Sequence, residues 1–367
     1  MQAAVVEEKG GPFRMRTVSM PAPRSDEVLV RIVATGVCQT DAHMRNQDYP
    51  IPLPMILGHE GAGIVESVGS AVRDVSPGDH VALTFPSCGR CGPCRTGAPA
   101  YCAHGFQLLF SGSRLDGSNA YAHDGVHGHF FGQSSFAQFA LASERNTVRI
   151  SNDMPLELVG PLGCGLQTGA GAVLNSLRVN AGESCAVFGT GAVGLAAVMA
   201  ANIVAATTIV AVDVNEARLS LAAELGATHT INAKTDDLGD QLRKIRPGGF
   251  DYVLEITALP QMLALALELI APRGVAALLG GAPAGTTAPI DMTTLLTGRA
   301  LRGIMQGDSI PQIFIPKLVE LYRSGRFPID RLVRTYKFAD INQAFADAAQ
   351  GTVIKPVLMM GDSLHHG

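Results

Sequence analysis

Short apolar runs cut by Gly and Pro, such as EVLVRIVATGV and GAGIVESVG, fill the chain from Met1 to about Ser151 and predict β-strands joined by turns. From about Pro155 the rhythm changes. SCAVFG, AVGLAAVMAANIVA, TTIVAVD, EARLSLAAELGA and DYVLEI alternate strand-length and alanine-rich helical patterns, as a parallel sheet with crossover helices does. The alternation stops near Gly307, where PQIFIPKLVELYRSGRFP and INQAFADAAQG predict two helices before a last strand, KPVLMM, in a tail that can rejoin the first part. No repeat at solenoid periods is visible. The pattern is that of an α/β chain in two parts.

Length agrees, because 367 residues exceed what one core supports. A net charge of −4 without any basic block leaves no electrostatic footprint for nucleic acid or an anionic membrane, so small molecules are the expected partners. The opening MQAAVVEEKG carries two Glu and no apolar core, which points to a cytoplasmic protein without a signal peptide. No charged residue lies between Glu183 and Asp213, but glycines and Asn202 interrupt that stretch. It reads as a βαβ unit buried on both faces, not as a membrane span.

Within that unit, SCAVF runs directly into Gly189-Thr190-Gly191-Ala192-Val193-Gly194 and an apolar helix. In this context GxGxxG is a dinucleotide fingerprint: Gly189 makes the tight turn, Gly191 admits the pyrophosphate to the backbone, and Gly194 packs helix on strand. The next strand ends in Asp213, close to the expected ~20 residues beyond the glycines, where a carboxylate can receive the adenosine ribose hydroxyls. A 2′-phosphate meets that charge, and Arg218 alone is a poor phosphate pocket, so NAD is expected rather than NADP.

Seven cysteines, an odd and clustered set, read as metal ligands before disulfides. Cys88, Cys91, Cys94 and Cys102 follow C-x2-C-x2-C-x7-C, and four thiolates close a tetrahedral zinc, so this site is structural. A DNA-binding finger is the rival reading, but basic charge and a recognition helix are missing beside the cluster. Cys185, in the apolar strand before the glycine loop, reads as a small buried thiol. Cys38 in GVCQTDAH, His59 in GHEG and Cys164 in GCGLQT remain. Cys, His and Cys can bind zinc and leave a fourth position open, and two thiolates cancel its charge.

Together the cysteine lobe, the GHE segment, the Cys38 segment and the glycine fingerprint resemble the zinc-containing medium-chain alcohol dehydrogenases, over essentially the whole chain. The resemblance implies an NAD-dependent oxidoreductase with two Zn2+ per subunit. It also implies a GroES-like β-rich catalytic domain, 1–165 with 306–367, a Rossmann NAD-binding domain of doubly wound parallel sheet, 166–305, and an active site in their cleft. Cys38, His59 and Cys164 are then the catalytic zinc ligands, Asp41 orients His59, and Glu60 is a transient ligand behind the metal. Zinc lowers the pKa of the alcohol as the nicotinamide accepts hydride, and the proton leaves through Thr40, the cofactor ribose and His43. Thr168 contacts the nicotinamide and Val193 presses on its far face. A homodimer or homotetramer is implied, with a strand near Arg299 to Met305 pairing across the two-fold.

One position departs from the family pattern. Gln39 stands where several members carry a basic residue that pairs with the pyrophosphate; Lys355, before the last strand, matches another basic phosphate contact that compensates. Between Cys102 and Phe139 lies a Gly- and Ser-rich stretch, and its end, FFGQSSFA, together with PLGCGLQTGAG, is similar to bacterial aryl-alcohol and geraniol dehydrogenases. The implied substrate is a benzylic or allylic primary alcohol, oxidised to the aldehyde in a channel lined by Phe136 and Phe85. Polyol, short aliphatic or S-hydroxymethylglutathione oxidation, or zinc and nucleotide binding without turnover, are the alternatives. His123, His127 and His129 invite a third metal, but a hydrophilic glycine loop explains them.

Overall fold

The computed structural model describes residues 1–234 and 237–361. It divides into two compact units: Met1–Cys164 with Ile310–Glu320 and Ile329–Gly367, and Gly165–Ser309 with Leu321–Pro328. Residues 362–367, the end of the tail expected in the first domain, lie outside the described residues.

The first unit is built on two sheets. In the larger, the ten-residue strand Glu27–Gly36 pairs antiparallel with Gly61–Val68, Phe139–Ser143 and the last strand, Lys355–Met359. The smaller sheet places Gln2–Val6 between Phe13–Thr17 and Met55–Ile56. Alternation along Glu27–Gly36 sends Val28, Val30 and Ile32 into a core with Val65, Val81 and Ala140. The two helices expected near the C-terminus are present as Pro311–Arg323 and Ile341–Gln350. Between them lies a strand the pattern did not announce, Val333–Lys337, which pairs parallel with Lys355–Met359. VRTYK is mostly exposed, so it lacks the apolar run that marks a strand in sequence.

The second unit holds six parallel strands in the order His229–Asn232, Thr208–Asp213, Ser184–Phe188, Phe250–Glu255, Ile270–Leu278 and Ala300–Gly303. In chain order this is 3-2-1-4-5-6, the dinucleotide-binding arrangement, with its switch point beside Ser184–Phe188. Every residue of Ser184–Phe188 is buried, as a central strand covered on both faces requires. No described helix is long and apolar enough to cross a bilayer.

Candidate metal centre and dinucleotide loop

The strand Glu27–Gly36 delivers Cys38 to the N-terminus of the helix Gln39–Arg45. Asp41, in that helix's first turn, points back. Its Oδ2 accepts from the Cys38 amide at 3.1 Å, and its Oδ1 accepts from the Gly58 amide at 3.1 Å and from His59 Nδ1 at 2.9 Å. One buried carboxylate thereby ties the Cys38 and His59 segments together and orients the imidazole with a hydrogen on Nδ1, so that the neutral ring would offer its Nε2 lone pair to a metal. Cys164 arrives on a turn held by Thr84, whose Oγ1 donates to the Gly163 carbonyl at 2.7 Å. No side chain fits at Gly163, because a Cβ there overlaps the Leu83 carbonyl.

Ligand atoms of Cys38, His59, Glu60 and Cys164 all lie within 4.8 Å of one another. His59 Nε2 is buried without a hydrogen-bond partner. An orphaned imidazole nitrogen beside two thiols is costly in itself, and an imidazole with two thiolates is a donor set that suits a zinc with an open position. Electrostatics agree. The hydrogen bond from Cys164 holds the Cys38 thiol well below its ordinary range against the effect of burial, and Lys355 and His59 assist. Burial lowers the His59 pKa, but Asp41 and Cys38 more than offset it, so these surroundings favour positive charge.

Cys88, Cys91, Cys94 and Cys102 form the other such group among the described residues, again with ligand atoms within 4.8 Å. Backbone amides from Cys88 and Ala103 donate to the sulfurs of Cys102 and Cys91, at 3.3 and 3.4 Å. With the Cys94 amide, Ala103 brings the Cys91 thiol down to about 6. Four thiols with amide donors suit a closed zinc site. The histidines form no third group: His129 Nε2 accepts from the Ala120 amide at 3.2 Å, and His123 is exposed.

Lys355 requires a correction. Expected to meet a cofactor phosphate, it is buried, and its ammonium donates to the Glu60 oxygens at 2.9 and 3.0 Å and to the Val37 carbonyl at 3.1 Å. An ammonium has three hydrogens, so none is left for a phosphate. Burial opposes the lysine's charge, and Glu60 and then Cys38 restore it.

The aromatic residues are also redistributed. Phe136, expected in a substrate channel, is fully buried, with its ring centroid 5.6 Å from Phe13 and 5.9 Å from Phe345. Phe85 belongs to the same core. Neither offers surface to a substrate, and each contributes about 1.5–3 kcal/mol by burial instead. At the candidate metal centre Phe131 stacks on His59 at 4.4 Å and Phe130 meets His59 edge-on at 5.6 Å, with Phe110 edge-on to Phe131 at 5.6 Å and Tyr49 stacked on Phe110 at 6.5 Å. Left-handed backbone at Phe131 and Ser134, φ 51 and 54, turns the run so that Phe131 faces the imidazole. Gln133, which sequence reasoning passed over, braces the ligand segment: its Nε2 donates to the His59 and Thr84 carbonyls, and its Oε1 accepts from Gly61.

Thr40 Oγ1 lies 3.8 Å from Cys38 Sγ. His43, three residues on and part-exposed, has its Nδ1 2.6 Å from Asp48 Oδ2, a partner the sequence did not signal. Gln39 is exposed at the start of the helix.

In the second unit, Gly189 turns at φ 94 directly after the strand Ser184–Phe188, and a Cβ at Gly194 overlaps the Gly189 carbonyl. Gly191 caps the helix Ala192–Ile203, and Val193 in its first turn is part-exposed. Asp213 is tied to this loop, Oδ2 accepting from Thr190 N at 2.7 Å and Thr190 Oγ1 at 2.9 Å, Oδ1 from Val214 and Asn215. These four bonds use the carboxylate's acceptor sites, so a ribose hydroxyl at Asp213 shares or replaces one of them. Arg218 keeps a buried Nε without a partner. Thr168 Oγ1 donates to Gln306 Oε1 at 3.4 Å, in a turn where Gln306, Gly307 and Asp308 are all left-handed.

Comparisons with known proteins bear on this arrangement. Residues 24–152 match the alcohol dehydrogenase GroES-like domain, and residues 192–323 match the zinc-binding dehydrogenase domain. A geraniol dehydrogenase of Castellaniella defragrans is 44% identical over 363 residues, covering 98% of this chain and 97% of that protein. Among solved structures, an alcohol dehydrogenase zinc-binding domain protein from Burkholderia ambifaria is 52% identical, with a TM-score of 0.95 and 98% of each chain covered. Benzyl alcohol dehydrogenase from Acinetobacter calcoaceticus is 46% identical, with a TM-score of 0.96 and coverage of 98% of this chain and 99% of that one. The chain is an oxidoreductase that belongs to the zinc-containing medium-chain alcohol dehydrogenase family.

Proposed function

We propose that this enzyme oxidises a primary aromatic or allylic alcohol to the aldehyde, with hydride transfer to NAD, and that each subunit holds two zinc ions. The observation that carries the metal reading is His59 Nε2, buried and unpartnered beside Cys38 and Cys164. These three residues would hold the catalytic ion, and Cys88, Cys91, Cys94 and Cys102 the structural one. When bound, the catalytic ion supplies Lewis-acid polarisation of the alcohol oxygen. The chain's own residues do the rest. Asp41 keeps the His59 lone pair aimed at the centre, Thr40 receives the alcohol's proton, and His43, steadied by Asp48, hands it to solvent.

The substrate class is supported by the relatives named geraniol and benzyl alcohol dehydrogenase, and by the rings of Phe131, Phe110 and Tyr49 leading away from His59. A flat hydrocarbon gains from such surfaces by burial, and a polyol finds few hydrogen bonds there. NAD is favoured over NADP by the Asp213 carboxylate at the glycine loop, with Gly189, Gly191 and Gly194 for the pyrophosphate, Arg218 near the ribose, and Thr168 and Val193 for the nicotinamide. A homo-oligomer is supported by the edge strand Ala300–Gly303, exposed along its length, with Leu301 and Met305 also exposed.

The test is NADH formation by zinc-replete enzyme with benzyl alcohol, geraniol, ethanol or sorbitol, repeated with NADP. Turnover of the first two with NAD is expected. Turnover of ethanol or sorbitol alone overturns the substrate class, and NADP preference overturns the cofactor assignment.

A further inference from the structure

The proposed catalytic centre has one donor more than it needs. Cys38, His59, Glu60 and Cys164 bring four ligand atoms within 4.8 Å of one another, yet four protein donors close a tetrahedral zinc, and catalysis requires three and an open position. Lys355 is what distinguishes Glu60 from the other three. Both Glu60 oxygens accept from its ammonium, at 2.9 and 3.0 Å, and its third hydrogen bond goes to the Val37 carbonyl, next to Cys38. The side chains of the pair are 3% and 0% exposed.

The backbone fixes this arrangement as firmly as it fixes the ligands. Lys355 opens the strand Lys355–Met359, which pairs with Glu27–Gly36 through Val357 and Gly36, and the Val37 amide donates to the Pro356 carbonyl at 2.9 Å. Gly36 makes room for the carboxylate, since a Cβ there overlaps Glu60 Oε2. For Glu60 to move onto a metal it must give up its hydrogen bonds to a buried ammonium whose charge it is the first to offset, which is unfavourable. Without the ammonium that penalty vanishes, and a buried carboxylate beside a dication binds it.

We propose that Lys355 is a positioning residue that withholds Glu60 from the metal, so that three protein donors and not four hold the catalytic ion. This rests on the reading of Cys38, His59 and Cys164 as the catalytic ligands. Metal content of the purified full-length enzyme tests that reading first: two zinc ions per chain sustain it, and retention of only the four-cysteine zinc overturns it whatever Lys355 does.

Two further measurements address Lys355 itself: the rate at which a chromogenic chelator removes the catalytic-site zinc, and the visible spectrum of the cobalt-substituted enzyme during titration with imidazole. In Lys355→Met, release is expected to slow by about tenfold or more, the scale on which partners of metal ligands act, and the cobalt spectrum loses its response to imidazole. Adding Glu60→Gln to Lys355→Met restores the parental release rate and the response. Unchanged or faster release in Lys355→Met, or a double variant like the single one, overturns the proposal. The parent enzyme gives an answer even where Lys355→Met does not fold: with Glu60 withheld, its cobalt spectrum responds as imidazole takes the open position, and a parent spectrum without that response shows the fourth position already filled and overturns the proposal.

Discussion

Replacing Asp41 with Asn probes the metal centre without changing its shape. The carboxylate accepts three hydrogen bonds, from the Cys38 amide, the Gly58 amide and His59 Nδ1. Asn has one oxygen. Turned toward Gly58 and His59, it presents its NH2 to the Cys38 amide, and a buried donor left unsatisfied costs about 1–3 kcal/mol of stability. His59 meanwhile loses the charge that makes it a better ligand, and such outer partners typically account for about 10–100-fold in metal affinity, or roughly 1.4–2.7 kcal/mol. The expected result of chelator competition on Asp41→Asn is therefore one zinc weakened within that range. The four-cysteine zinc is the internal control, because none of its sulfurs bonds to Asp41. Equal affinity at both sites in parent and variant refutes the reasoning, and so does equal weakening of both, which signals general unfolding.

Three more outcomes follow from the same geometry. Burial, and then Arg114, push His129 down to about 4; the unfolded chain takes up that proton first as pH falls, so stability is complete above about 6.5 and is lost down to about 4, by roughly 3 kcal/mol. Urea titrations of His129→Asn, a residue that tolerates the left-handed backbone there, are expected to lose that acid slope; a slope equal to the parent's contradicts the assignment. Gly163→Ala drives a Cβ into the Leu83 carbonyl and is expected to cost about 1–3 kcal/mol in urea unfolding and to loosen the metal held through Cys164; a variant as stable as the parent refutes the packing argument. Gln39→Arg adds a charge-assisted contact to the NAD pyrophosphate, and calorimetric titration should find binding tighter by about 1.5–3 kcal/mol; unchanged affinity removes Gln39 from the cofactor site.

What the sequence made legible was chemistry carried by local spacing. Cys88, Cys91, Cys94 and Cys102 span fifteen residues, and Gly189 to Gly194 sit between a strand and a helix whose apolar patterns stand by themselves. Sites assembled from distant segments were legible only through family resemblance: nothing local in the sequence joins Cys38 to Cys164, and their segments are held together by bonds through Asp41, Gly58, Gln133 and Thr84. The two corrected assignments share one physical cause. A sequence supplies a residue's type, whereas its direction is decided by backbone turns and by partners far along the chain. Left-handed backbone at His129, Phe131, Gly132 and Ser134 in HFFGQSSF exchanges the roles of Phe131 and Phe136, placing the former on His59 and the latter in the core. Lys355 reads as a surface cation until its strand pairs beside Gly36 and sets it against Glu60, 295 residues away. A basic residue near a cofactor motif is therefore weak grounds for a phosphate contact, because a buried carboxylate near a metal makes an equal claim on it, and here the geometry grants that claim.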